Sequence, residues 1–141
     1  MINDSYISGF FDADGSITMC KNASSEKYRT IKIDFTNTQL DILLEIQKYL
    51  LDKYNLKLHL ATKPPKKNNH STSYALSVAS NKVCYKLCEI IKSHHPKKLH
   101  RINTILKYHN SVVKRNGKYN EKEKMRRLAY ERLFFSNAFQ R

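Results

Sequence analysis

Hydrophobic positions along this chain recur with two different periods, and the switches between them mark out a run of helices and strands. Asp4 or Ser5 can cap a first helix whose apolar positions include Tyr6, Ile7, Phe10 and Phe11, since a short side-chain oxygen accepts one of the first free N–H groups. That helix should stop near Asp14-Gly15, where glycine permits a left-handed exit. Ser16 to Asn22 then alternates apolar and polar, Asn22 to Lys27 reads as a turn, and Tyr28 to Asn37 alternates again with Ile31, Ile33 and Phe35 on one face. Two alternating runs across a short polar turn predict a hairpin.

Thr38 can cap a helix over Gln39 to Tyr54, with Leu40, Leu43, Leu44, Ile46, Leu50 and Leu51 as its apolar stripe. A second strand pair follows, carried by Leu56, Leu58 and Leu60 and by Tyr74, Leu76 and Val78, around a basic loop at 63–70. Asn81 to Lys92 predicts a helix that Pro96 interrupts, and Lys97 to Lys114 predicts another. Asn116-Gly117 breaks that one, and Asn120 with Glu123 forms a capping box for a last helix from Glu121 to about Phe139. The order is α-β-β-α-β-β-α followed by more helix. No linker divides it, so one domain spans 1–141. The αββ order occurs twice without a sequence repeat to match.

Half-apolar strands predict one sheet face packed on helices and the other open. If Ile17, Met19, Ile31, Ile33 and Phe35 point inward, the open face carries Thr18, Cys20, Asn22, Tyr28, Thr30, Lys32 and Asp34 on the first pair. On the second pair it carries Lys57, His59, Ala61, Lys63, Ser73, Ala75 and Ser77, with Lys66 and Asn68 in the adjoining loop. Such donors, acceptors and cations can read base edges and neutralise phosphates. An ordinary solvated sheet face has a similar composition, so the pattern alone leaves both readings open.

Charge narrows the choice. The 141 residues hold 26 Lys+Arg against 12 Asp+Glu, a formal +14, which favours a polyanionic partner. Residues 1–20 contain no Lys or Arg but three acids, Asp4, Asp12 and Asp14, so they carry −3 and the rest carries +17. Carboxylates repel phosphate unless a cation lies between them. Nucleic acid is the first such partner and an anionic membrane surface the second; no apolar run approaches the roughly 18 residues that cross a bilayer, and the reading adopted has no membrane partner. Met1-Ile2-Asn3-Asp4 lacks the start of a signal peptide. Three cysteines without a secreted-type framework suit an intracellular, reducing compartment.

The chemistry concentrates in Ile7-Ser8-Gly9-Phe10-Phe11-Asp12-Ala13-Asp14-Gly15. Gly9 and Ala13 share one helix face, where small residues let a second helix approach. Asp14 closes the helix, where outward carbonyls and a carboxylate suit a hard divalent cation. An EF-hand register fails, because it puts Phe10 and Lys21 where acids are required.

The segment resembles the LAGLIDADG motif of homing endonucleases, matching Gly9, Asp12, Ala13, Asp14 and Gly15 of its nine positions. The element order over roughly 4–110 resembles the family's core as well. The resemblance implies an α+β fold: an αββαββα homing-endonuclease core with a saddle-shaped antiparallel sheet, plus additional C-terminal helices. A single motif implies a homodimer whose motif helices pack through Ser8, Gly9, Asp12 and Ala13, on double-stranded DNA with a near-palindromic target. Asp14 of each protomer would hold catalytic Mg²⁺, with the Ala13 carbonyl as a second ligand; Mn²⁺ or Ca²⁺ could occupy the same site. Asn37 fits the family's polar residue near the metal-bound water, and Lys98, or its neighbour Lys97, the basic residue before the next helix. Asp12 reads as structural. The implied activity is cleavage of both strands with short 3′ overhangs, by a protein encoded in a mobile intron.

The alternative function is a non-cleaving one, an intron RNA maturase or a DNA-binding regulator on the same fold; a generic ribosome-associated protein is a third. Cys84 and Cys88 read as core thiols beside Leu87 and Ile91, His94-His95 matches no metal-nuclease frame, and the run 122–127 reads as a solvated helix face. The Lys- and Asn-rich composition suits an AT-rich genome such as that of a mitochondrion or chloroplast; a prokaryotic cytoplasm is the other setting considered.

Overall fold

A computed structural model describes residues 2–22, 25–65, 71–114 and 118–136, with backbone only at 22 and 25–27. The elements are α1 (Asp4–Asp14), β1 (Gly15–Asn22), β2 (Ser25–Asn37), α2 (Leu40–Tyr54), β3 (His59–Lys63), β4 (Ser73–Val78), α3 (Asn81–Ile90), α4 (Pro96–Val112) and α5 (Glu121–Phe135). The four strands form one antiparallel sheet in the order β1-β2-β4-β3.

The odd-numbered residues of the first hairpin, Ile17, Met19, Ile31, Ile33 and Phe35, are buried as their alternation requires. Leu76 and Val78 join them from β4, and Ile7 and Phe11 of α1, Leu43, Ile46 and Leu50 of α2 and Leu87 of α3 cover them. Cys84 and Cys88 are buried free thiols in the same core. Burial pushes the Cys84 thiol up to about 12, so it packs as an apolar group. Asp4 ties the start of α1 to the end of α2 by accepting from the Tyr49 and Tyr54 hydroxyls at 2.6 and 2.5 Å.

Several boundaries differ from the sequence expectation. Asn3, not Asp4 or Ser5, caps α1, its Oδ1 accepting from the Tyr6 N–H at 2.8 Å. Gly15 leaves the helix in an extended conformation (φ −95°) rather than a left-handed one. Its missing side chain answers a lack of space, since a Cβ there would lie 2.6 Å from Phe11 Cδ1 and 2.7 Å from the Phe11 carbonyl. Thr38 does not cap α2; the Gln39 N–H donates to Asn37 Oδ1 instead, at 2.7 Å.

Leu44 and Leu51 stand 43% and 44% exposed, because the apolar stripe of α2 is wider than the face that Leu43, Ile46 and Leu50 pack. Asn55 turns left-handed (φ 56°) and returns the Leu56 N–H to the Leu50 carbonyl at 3.1 Å. Leu56 and Leu58 are therefore buried ahead of the strand, β3 begins only at His59, and Lys57 lies off the sheet. α3 ends at Ile90, and Pro96 opens α4 in its first turn, where a missing N–H costs nothing. The capping box forms at Asn120 and Glu123. The 23–24 turn, the 66–70 part of the loop, the Asn116-Gly117 break and the chain beyond 136 lie outside the described residues. No helix among the described residues is long and apolar enough to cross a membrane.

α5 packs on α4 and adds Tyr130 and Phe134 to the core. His109 of α4 is buried there, sharing a 3.0 Å hydrogen bond with the Tyr130 hydroxyl. Burial, reinforced by the charge of Arg127, pushes the imidazole down to about 4. The folded chain therefore resists a proton that the unfolded chain accepts near pH 6.5. Above that pH His109 costs nothing. As the pH falls from about 6.5 to about 4 the protein should lose up to about 3 kcal/mol. Urea unfolding of the native chain and His109→Gln across this range checks it; parallel pH dependences would remove His109 as the cause.

Candidate active site and nucleic-acid interface

Three residues that are distant in sequence meet at the C-terminal end of α1. Asp14 is exposed, and its Oδ2 accepts from Asn37 Nδ2 at 2.9 Å. Asn37 ends β2, and the bond from the Gln39 N–H to its Oδ1 leaves its NH₂ directed at Asp14. Lys98, in the first turn of α4, donates to the Phe11 and Asp12 carbonyls at 2.8 and 2.9 Å and lies 5.2 Å from the Phe11 ring centroid. The Phe11 carbonyl also accepts from the Gly15 N–H, while the Asp12 carbonyl is one of those near the helix end that lack a next turn to pair with. Burial lowers the Lys98 ammonium below the ordinary lysine range, while Asp12 and Asp14 pull the other way. Of the two adjacent lysines, Lys98 reaches this helix end, and Lys97 is exposed.

The three N-terminal acids have separate fates. Asp4 is held by Tyr49, Tyr54 and Lys53, and these hydroxyl bonds lower its pKa. Asp12 accepts from the Ser93 hydroxyl and, at 2.9 Å, from the His94 N–H. Burial pushes its carboxyl up, but those bonds together with the Lys98 and His94 charges outweigh that and leave it below the ordinary value. Asp4 and Asp12 are thus each held by two or more groups of their own chain, whereas Asp14 is exposed and accepts from Asn37. Ser8 is buried and its Oγ accepts from the Lys92 N–H at 2.9 Å. Ser8 and Asp12 thus engage the 91–95 segment of their own chain, whereas Gly9 and Ala13 stay exposed.

No group of three or more His, Cys, Asp or Glu that could hold a metal occurs among the described residues. Asp14 and the Ala13 carbonyl nevertheless offer the hard oxygen donors that Mg²⁺ or Ca²⁺ prefers. Lys98 takes the Phe11 and Asp12 carbonyls and leaves Ala13's alone. The donors fit such an ion as a partial set, completed by water, phosphate or a second chain.

Beside this end the open sheet face carries rows of polar side chains. Thr18 pairs with Lys32 and Cys20 with Thr30. Asp34 lies between Ser16 and Ser77, and Ser77 faces His59. Lys63 pairs with Ser73 at the far edge. Ala61 is exposed, while Ala75, expected on this face, is only 3% exposed between Thr36 and Ala61. Tyr28 is not free on the face, because its ring packs 5.0 Å from Tyr119 and under the Arg127 guanidinium. Lys57 is exposed off the sheet; the Asn22 side chain, Lys66 and Asn68 lie outside the described residues.

Ser16 and Thr36 belong to the same face, and their strand parity could have placed them there. Ser93 is 81 residues from Asp12, and no local signal joins them.

The family model of the LAGLIDADG-like domain matches residues 2–92. None of the curated proteins matches the chain. Among solved structures, the archaeal intron-encoded homing endonuclease I-Vdi141I complexed with DNA is similar at 18% identity, covering 91% of this chain and 79% of that one, with a TM-score of 0.63. I-SmaMI bound to an uncleaved DNA target in the presence of calcium ions is similar at 14% identity and TM-score 0.59, covering 99% of this chain, which spans about half (48%) of that one. The homing endonuclease I-TnaI is similar at 13% identity, covering 99% of this chain and 92% of that one, with a TM-score of 0.52.

Proposed function

Because the chain belongs to the LAGLIDADG family, we propose that it is a site-specific double-strand DNA endonuclease, a homing endonuclease, acting as a homodimer with Mg²⁺. The observation that carries this reading is the meeting of Asp14, Asn37 and Lys98 at one helix end beside an open polar sheet face.

Asp14 and the Ala13 carbonyl would hold the ion. When bound, Mg²⁺ supplies Lewis acidity toward the phosphate and its attacking water. Asn37 fixes the Asp14 rotamer through Nδ2 and so orients its other oxygen outward. Lys98 adds fixed positive charge beside the site, where charge builds on the phosphate oxygens. Lys32 and Lys63 neutralise backbone phosphate, and the polar rows between them meet base edges. Each protomer then cuts one strand, leaving short 3′ overhangs.

The dimer is supported by Gly9. A Cβ at Gly9 would meet nothing within 4 Å, yet glycine inside a helix costs about 1 kcal/mol relative to alanine. Nothing among the described residues returns that cost; close approach of a second α1 would. One chain also supplies a single Asp14, and two would supply the pair of carboxylates that a two-strand cut needs. I-SmaMI, about half of which this chain spans, is bound to DNA, and two copies of this chain would reach a comparable length. A two-fold assembly reads a near-palindromic target, and three free cysteines suit a reducing compartment.

Incubating the native protein with a random linear DNA library in Mg²⁺, then in EDTA, tests the reading. Cutting at one sequence class should occur in Mg²⁺ and vanish in EDTA. Tight sequence-selective binding without cutting would make the chain a DNA-binding regulator; selective binding of structured RNA alone would make it a maturase.

A further inference from the structure

The β1–β2 hairpin outruns the rest of the sheet. β4 pairs with β2 only from Asn37 to Ile33, while β1 and β2 stay paired to Lys21 and Arg29 and beyond. On the side away from β1, residues 29–31 of β2 therefore have no strand beside them among the described residues. An open edge exposes backbone donors and acceptors and invites wrong pairing. Here side chains from two helices take the missing strand's place. The Ile31 N–H donates to Asn81 Oδ1 at 3.0 Å. The Arg29 N–H donates to Glu131 Oε2 at 3.4 Å, and the Arg29 carbonyl accepts from Arg127 Nη2 at 2.6 Å.

Arg127 and Glu131 are the unusual members. They are 3% and 8% exposed, and they pair with each other at 3.4 Å. A buried ion pair is often no more stabilising than apolar residues of similar volume, so its use here points to geometry. Arg127 Nε and Nη1 are buried without a hydrogen-bond partner among the described residues. Instead the guanidinium lies 5.5 Å from the Tyr28 ring centroid and 5.8 Å from that of Tyr130. Arg29 completes the clamp, donating to the Met19 carbonyl at 3.4 Å and lying 5.2 Å from the Phe135 ring centroid. The family model ends at residue 92, so α5 lies outside it.

The clamped part of the hairpin carries Cys20 and Thr30 on the open face. At about 3.3 Å per strand residue it lies roughly 20 Å from Asp14, about six base-pair steps. We propose that α5 is a specificity-determining brace: Arg127 and Glu131 hold the far end of the β1–β2 hairpin in the orientation that reads the outer base pairs of the DNA target. This rests on the endonuclease reading above. Arg127 and Glu131 touch no DNA in this role; they are positioning residues.

The test uses the full chain and three variants. Arg127→Met removes the donors and keeps the length, Glu131→Gln keeps the shape and removes the charge, and Arg126→Met makes the same change on the exposed side of α5. Amide hydrogen exchange is read at 18–21 and 28–31, and DNA binding is measured against targets with single changes at inner and outer positions. In Arg127→Met and Glu131→Gln, exchange at the hairpin end should quicken. Discrimination at outer pairs should fall by about tenfold, with inner pairs and the protein's circular dichroism preserved. Arg126→Met should match the native chain. If Arg127→Met fails to fold, Glu131→Gln decides. Unchanged exchange and unchanged outer discrimination, or equal relaxation in Arg126→Met, would overturn the brace alone. A native chain that discriminates no DNA sequence would overturn the endonuclease reading with it.

Discussion

Asp14→Asn should abolish strand cleavage, by on the order of 10³-fold or more, while leaving DNA binding intact. Asparagine keeps the size of the side chain and can turn its oxygen toward Asn37 Nδ2, which now bonds Asp14 at 2.9 Å. The exposed position demands no repacking. What disappears is the negative oxygen pair that, under the endonuclease reading, anchors a hard cation at this helix end. Removing a negative charge beside a phosphate does not weaken attraction to DNA. Single-turnover cleavage and equilibrium binding on the selected target separate the two effects. Native-rate cutting by the variant would show that another group holds the ion.

Gly9→Leu should convert a dimer into a folded monomer that no longer makes double-strand breaks. Among the described residues nothing lies within 4 Å of a Cβ at Gly9, so leucine fits the isolated protomer and raises helix propensity by roughly 0.5–1 kcal/mol. Between two α1 helices the same side chain forces the backbones apart. Light scattering should give about twice the 16.6 kDa chain mass for the native protein and the single mass for the variant. Thermal unfolding should show the variant still folded. A dimeric Gly9→Leu that cuts normally would place the contact elsewhere.

Strand faces were legible from sequence because their period is two and one face is buried. Ile17, Met19, Ile31, Ile33 and Phe35 needed no further information. Asp14 could be singled out as the acid that closes α1, whereas Asn37, which ends β2, and Lys98, in the first turn of α4, were reachable through the family resemblance.

What failed was local alternation used without its context. Leu56 and Leu58 mimic a strand, but the left-handed Asn55 spends them on closing α2. Leu44 and Leu51 look like core until the width of the packed face is known. Gly15 was needed for clearance against Phe11, not for its dihedral freedom. Contacts spanning long stretches, Asp12 with Ser93 and Arg29 with Arg127 and Glu131, leave no periodic trace.

The parity of the hairpin also bears on how such a protein can change. Ile17, Met19, Ile31, Ile33 and Phe35, all at odd positions, hold the core, and Thr18, Thr30 and Lys32, at even positions between them, lie on the open face. A substitution at Thr18, Thr30 or Lys32 alters the open polar face without opening a cavity beneath it. Each such step is thermodynamically cheap and leaves Asp14 and its neighbours in place. Under the endonuclease reading, drift toward a new target can proceed one residue at a time, through intermediates that all remain folded and armed.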